Sequence, residues 1–247
     1  LGLGMAIYVV SCSVPRRRAT GFYRELGSWQ DYRLLLRSNR HQCVRTVCLL
    51  SSFAFFTAMG DKLGSDTLAA NAIMLQLLML TSYGMDGFAF AAEGLTGSAL
   101  GARDLPGFRA AAARCALWCA AAAALMSLAL LLLHNPLFAL LTDLPPVRTL
   151  MSQHSAWLIA LPLIAAPSYL LDGVFIGSAE TRPMMVTMLF SALVVYLPVW
   201  YLTQGWGNHG LWLSFTLFNG ARGLTLMIYF DRFNRRGRWL REPVATS

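Results

Sequence analysis

Charge is what this sequence has least of. Only 13% of its residues are Asp, Glu, Lys or Arg, while 56% are hydrophobic. Water-soluble domains average about 25% charged and about 45–50% apolar residues. A chain of 247 residues this poor in charge cannot cover a folded surface with polar groups. Lipid must cover it instead, because apolar side chains lose nothing by facing acyl tails. Cysteine is scarce as well. Cys12, Cys43, Cys48, Cys115 and Cys119 are odd in number and lie mostly in or beside apolar segments, which argues against a disulfide framework. Cys115 and Cys119 are one helical turn apart with no further ligand near them in sequence, so they read as small packing residues. His41, His134, His154 and His209 are scattered, mostly near the ends of apolar runs, and suggest no metal site. The G-x-S-x-G, P-loop, H-E-x-x-H and C-x-x-C patterns are all missing. The expectation is a non-enzyme without cofactor or metal. Any transport would draw on an ion gradient or a partner subunit.

Long apolar runs are what the sequence has. A bilayer core of about 30 Å needs about 20 mostly apolar residues in helical form. Six charge-poor runs qualify or nearly qualify: 46–60, 67–85, 115–133, 149–171, 183–208 and 210–230, the last broken by Arg222. The second is expected to continue past Asp86 and Glu93 to about Leu100. Basic residues collect in cytoplasmic loops. Here they fall at Arg16 to Arg45, at Arg103, Arg109 and Arg114, at Arg182, and in the tail from Arg232 to Arg241. The alternate loops hold only Lys62 and Arg148. Six spans with both chain ends in the cytoplasm satisfy this alternation. It also accounts for the net charge of +8 as a basic membrane rim, with no nucleic acid involved.

This organisation divides the chain into four parts. Residues 1–14 read as the end of a preceding spanning helix, because the apolar stretch comes before its basic cluster, the reverse of a secretory signal. The chain is accordingly expected to be a fragment. Residues 15–45 form a cytoplasmic connection, in which Trp29, Tyr32 and Leu34 to Leu36 alternate with Arg33, Arg37 and Arg40 as in an amphipathic interfacial helix. Residues 46–230 are the six-helix membrane part, and 231–247 a basic tail.

Four polar residues inside the spans carry the functional argument: Asp86, Glu93, Asp172 and Arg222. A charge in hydrocarbon costs about 2.5–3.5 kcal/mol on insertion scales, so such residues usually face a protein interior or a water-filled path. Asp86 and Glu93 are seven apart and share a helix face. They suggest protonation or cation binding. The plainer alternatives are solvation near the headgroups for Asp172 and Glu93, and snorkelling for Arg222; a buried Arg222–carboxylate pair is the other option. By depth in its run, Asp86 is expected to be the most enclosed of the three acids. Tyr83-x-x-Asp86-Gly87-Phe88 is echoed by Tyr169-x-x-Asp172-Gly173-x-Phe175, and transporters are often built from internal repeats. Pro162, Pro167 and Pro198 interrupt spans. Gly97-x-x-x-Gly101 and Gly173-x-x-x-Gly177 suit close helix contact.

Three stretches resemble the DinF-type branch of the multidrug and toxic compound extrusion (MATE) family. They are Leu63 to Asp66 with Ala70-Asn71-Ala72, Tyr83 to Asp104 (YGMDGFAFAAEGLTGSALGARD), and Tyr169 to Gly177 (YLLDGVFIG) with Gly207 to Trp212 beyond. The resemblance implies an all-α integral membrane fold, the six-helix C-terminal lobe of a twelve-helix transporter. It implies export of organic, often cationic, compounds in exchange for H⁺ or Na⁺ across a bacterial inner membrane, together with an N-terminal lobe absent from this chain. The pathway candidates are Asp86, Glu93, Asp172, Tyr83, Tyr169, Asn71 and Arg222. The run 46–60 has no carboxylate, which favours H⁺ over a sodium site there. A flippase for lipid-linked precursors from the same superfamily is the alternative; it would require several buried basic residues facing the cavity, of which only Arg222 is evident from sequence. An inactive fragment is the bland alternative for the isolated chain.

Overall fold

The computed structural model describes the backbone of residues 29–240 and the side chains of residues 40–239. The chain falls into two units, Leu1–Arg40 and His41–Ser247, and the second holds both apolar cores and the charged cleft. Every regular element among the described residues is helical. α1 runs Trp29–Asp61, α2 Ser65–Gly101, α3 Leu105–Leu141 and α4 Pro145–Gly177. α5 (Thr181–Phe190), a π-helical stretch (Ser191–Tyr196), α6 (Leu197–Thr203) and a 3₁₀ turn (Gln204–Trp206) make one further crossing. α7 follows at Asn208–Arg235. Segments Arg40–Asp61, Ser65–Gly101, Leu105–Leu141, Pro145–Gly177 and Thr181–Trp206 are long and apolar enough to cross a membrane. α7, at 28 residues, has the length but carries Asn219 and Arg222 in its interior. The result is an all-α membrane lobe of six helical segments, five of them apolar enough to cross.

The helices outlast the charge-free runs that announce them. α2 has 37 residues, about 55 Å at 1.5 Å each, and holds Asp86 and Glu93 within its length. α1 is unbroken from Trp29 to Asp61, so no helix end marks the boundary expected at residue 45. Residues 1–28, with the expected preceding-helix end and the start of the connection, lie outside the described residues, as do 241–247 of the tail. In the rest of that tail, Trp239 is buried against Phe108, Phe175, Phe230 and Phe233.

Local chemistry sets the tight connections. α2 and α4 end alike, with Arg103 and Ala179 each at φ 57° and the following amide bonding five residues back, Asp104 to the Ala99 carbonyl and Glu180 to the Phe175 carbonyl. That is the Schellman closure. Asp104 then caps α3, its carboxylate accepting from the Gly107 amide at 2.9 Å. Pro198 explains the π stretch before it. A proline has no N–H for the carbonyl four residues earlier, and its ring crowds that carbonyl. Widening the preceding turn moves the Val194 carbonyl out of the way, and Leu197 bonds to Ala192, five residues back.

The interior has two apolar clusters. One gathers Phe56, Met74, Leu158, Trp212, Phe215 and Phe218; the other gathers Met85, Phe108, Cys119, Val174, Phe175 and Phe233. α4 runs through both and is the most enclosed of the spans. Glycine lets α4 and α2 touch. A Cβ on Gly173 would land on the Ala89 carbonyl, and one on Gly177 on the Glu93 carbonyl; Gly97 faces Gly177 in return. Gly101, the partner of Gly97 in its motif, has open space.

Candidate functional site: a charged cleft between α1, α2, α4 and α7

The close approach of α2 and α4 leaves a cleft of about 390 Å³ beside it, walled also by α1 and α7. Its lining includes Arg45, Tyr83, Asp86, Glu93, Tyr169, Asp172 and Arg222. The two copies of the Tyr-x-x-Asp echo thus look into one space from two helices. Direct contact ties them: the Ser82 and Tyr169 hydroxyls hydrogen-bond at 2.6 Å.

The centre of the cleft is an ion triad. Arg45 Nη2 and Arg222 Nη2 both donate to Oδ2 of Asp172, at 2.5 and 2.6 Å. Asp172 and Arg222 are buried, 5% and 2% exposed, and the Arg45 side chain is 19% exposed. Bonds of this kind, with both partners ionised, are the strong ones. The Arg222 guanidinium also lies 5.6 Å from the Tyr169 ring centroid, a cation–π distance. Two positive charges on one carboxylate leave the triad at net +1. Asp86 and Glu93 are half-buried and line the same cleft. Neither has a hydrogen bond or ion pair among the described residues.

Two sequence expectations change here, and two open choices are decided. Asp86, expected to be the most enclosed of the three acids, is half-buried, and Asp172 is the most buried. Of the alternatives left open, Asp172 is enclosed and not solvated, and Arg222 pairs with it inside and does not snorkel. Arg45, counted from sequence with the basic rim, reaches into the cleft from α1. Nothing in the sequence marks Arg45, because its partner is 127 residues away.

Asn71 does not join this site. It is buried at the other end of α2, exchanging amide hydrogen bonds with Asn208 at 2.8 and 3.0 Å and accepting from Trp212 Nε1 at 2.9 Å. That clamp joins α2 to the start of α7. Tyr83 lines the rim of the cleft and is 69% exposed. His154 and His209, apart in sequence, come together with ring centroids 4.2 Å apart, and Trp157 Nε1 donates to His209 Nδ1. Among the described residues no three His, Cys, Asp or Glu side chains gather as a metal site would need.

Comparison with known proteins places this lobe. The MatE family profile matches residues 43–202. The chain is 38% identical over 218 residues to DNA damage-inducible protein F of Escherichia coli (strain K12), covering 86% of this chain and 46% of that protein. Two solved structures share the fold at TM-score 0.75. MATE in the straight conformation is 17% identical, with 85% of this chain and 48% of that one covered. A multidrug resistance MATE family transporter of the MOP superfamily, outward-facing, is 16% identical, with 86% and 49% covered. The chain therefore spans about half the length of the relatives it matches, and it belongs to the MatE family.

Proposed function

We propose that this chain is the C-terminal lobe of a secondary active exporter that moves organic, often cationic, compounds out of the cell in exchange for H⁺, or Na⁺. The protein would sit in a bacterial inner membrane with both ends of this chain in the cytoplasm. An N-terminal lobe, which is not part of this chain, would complete its cavity. One observation carries the proposal: Asp86 and Glu93, two acids with no hydrogen bond or ion pair among the described residues, line the same intramembrane cleft as the Arg45–Asp172–Arg222 triad. Intramembrane acids of this kind mark ion and proton relays. Asp172 already accepts from two guanidiniums. Loading and release of a cation fall to Asp86 and Glu93 on α2, which have no competing bond to break. Arg45, half-buried, joins Arg222 in the cleft, and a second base there is the feature the flippase alternative calls for. The Asp172 carboxylate offsets one of the two charges, and the free acids offset the rest, so the cleft suits a cation better than a phosphate-bearing precursor.

The test is dye efflux from vesicles carrying this lobe joined to its N-terminal lobe, under imposed H⁺ or Na⁺ gradients. Asp86→Asn should abolish or strongly reduce gradient-driven efflux with the protein still in the membrane. Undiminished efflux in Asp86→Asn and Glu93→Gln would move coupling out of this cleft. Absence of efflux for every dye, with transfer of a fluorescent lipid-linked precursor instead, would favour the flippase.

A further inference from the structure

On the other side of α4 from the charged cleft lies a groove walled by α3, α4 and α7. It encloses about 550 Å³, within the range of ligand pockets. Along α3 its wall is made of small side chains, Ala112 to Ala123 at helical spacing, and α7 adds Met227 and Phe230. Small residues on a membrane helix normally let a neighbouring helix close in. Here they border open volume. The wall from Ala112 to Ala123 is about 16 Å long at 1.5 Å per residue, which is half of a hydrocarbon core of about 30 Å. The groove is therefore one leaflet deep.

Its polar groups all stand at one end. Arg109 lies there on α3, exposed and without an ion pair or hydrogen bond among the described residues. Asn234 of α7 stands at the same end. Indole N–H can only donate, so the bond from Trp239 Nε1 to Asn234 Oδ1 at 2.8 Å turns the Asn234 amide so that its NH₂ remains a donor. The acid on the neighbouring turn, Asp231, is paired with Arg235 at 2.8 Å. The groove thus offers an apolar channel one leaflet long that ends in a free cation and a free donor at headgroup level, with no free acceptor among the residues named.

We propose that this groove is a lipid site. It holds one acyl chain of an anionic glycerophospholipid, whose phosphate lies against Arg109 and Asn234. Nothing in this proposal depends on the transport reaction or on the charged cleft.

Native mass spectrometry of the chain, extracted in mild detergent and supplied with equal amounts of phosphatidylglycerol and phosphatidylcholine, tests it. The wild-type chain should retain phosphatidylglycerol at least fivefold over phosphatidylcholine. Arg109→Gln should cut that retention several-fold, Arg109→Lys should keep most of it, and Arg182→Gln, an equal loss of charge outside the groove, should change nothing. Ala120→Phe should expel both lipids; if that variant fails to fold, the Arg109 pair decides alone. Equal retention of the two lipids, undiminished phosphatidylglycerol in Arg109→Gln, or no bound lipid on the wild-type chain would each overturn the proposal. The last result would mean that a protein segment fills the groove instead.

Discussion

The Arg45–Asp172–Arg222 triad makes a quantitative prediction about stability. In Asp172→Asn the side chain keeps its shape and one oxygen but loses its charge, and two guanidiniums are left facing each other. Arg222 is 2% exposed and has no water to turn to. Removing one member of a buried ion pair costs about 3–5 kcal/mol, which for a chain of this size lowers Tm by about 6–20 °C. Arg222→Met should cost less, because Asp172 keeps Arg45 at 2.5 Å; about 1–3 kcal/mol fits the loss of one hydrogen bond to a charged group. The double variant should be more stable than Asp172→Asn alone, since the remaining cation, Arg45, is 19% exposed and can reach water. Melting of the detergent-solubilised protein, followed by tryptophan fluorescence, gives all four values. If the double variant costs the sum of the two singles, the residues do not interact energetically and the reasoning fails. A Tm for Asp172→Asn equal to wild type would refute it too.

Three further predictions follow from packing. Gly173→Ala should lower Tm, by about 1–3 kcal/mol of overpacking, because its Cβ meets the Ala89 backbone; Gly87→Ala, in open space on α2, should be neutral or stabilising by up to about 1 kcal/mol. A melt in which the two behave alike would contradict the close α2–α4 contact. Asn71→Ala should destabilise by about 1–3 kcal/mol through the stranded Trp212 N–H, yet leave ion coupling in the vesicle assay unchanged; altered coupling would return Asn71 to the pathway. Tyr169→Phe removes only the hydroxyl bonded to Ser82 and keeps the ring beside Arg222, so it should be milder in melting than Tyr169→Ala, and equal losses would discount the cation–π contact.

Much of the architecture is legible in the sequence because hydrocarbon imposes a simple rule. Charge-free runs and the placement of arginine locate the crossings, since lipid punishes exceptions. The helix ends are unevenly legible: α2 ends at Gly101, beside the Leu100 expected from its sequence, whereas α3 runs from Leu105 to Leu141, well beyond its charge-free run, and α1 has no break at residue 45. The Tyr-x-x-Asp echo does pick out two helices that share a cleft. Burial order does not follow from position in a run, as Asp172 shows: an acid near a span's end is enclosed when two bases from other helices close over it. Arg45 and Asn71 fail for the same reason in opposite senses. A rim arginine becomes a cleft residue and a pathway candidate becomes a helix clamp, and in each case the deciding partner is more than 100 residues distant.

The π-helical turn at Ser191–Tyr196 has a consequence for how this lobe can change length. Such a turn accommodates one residue more than an α-helix would need. Removing a single residue from it would restore α geometry and leave both flanks in register, whereas straightening it to α geometry with every residue kept would rotate everything beyond by about 100°. Tyr196 would then swing away from the Ser52 carbonyl and Trp200 from Phe55, while Met184 and Met188 upstream stayed in the core. The crossing is two half-helices in a fixed rotational register, joined by one residue of slack, and each half keeps its own neighbours only while that turn stays wide.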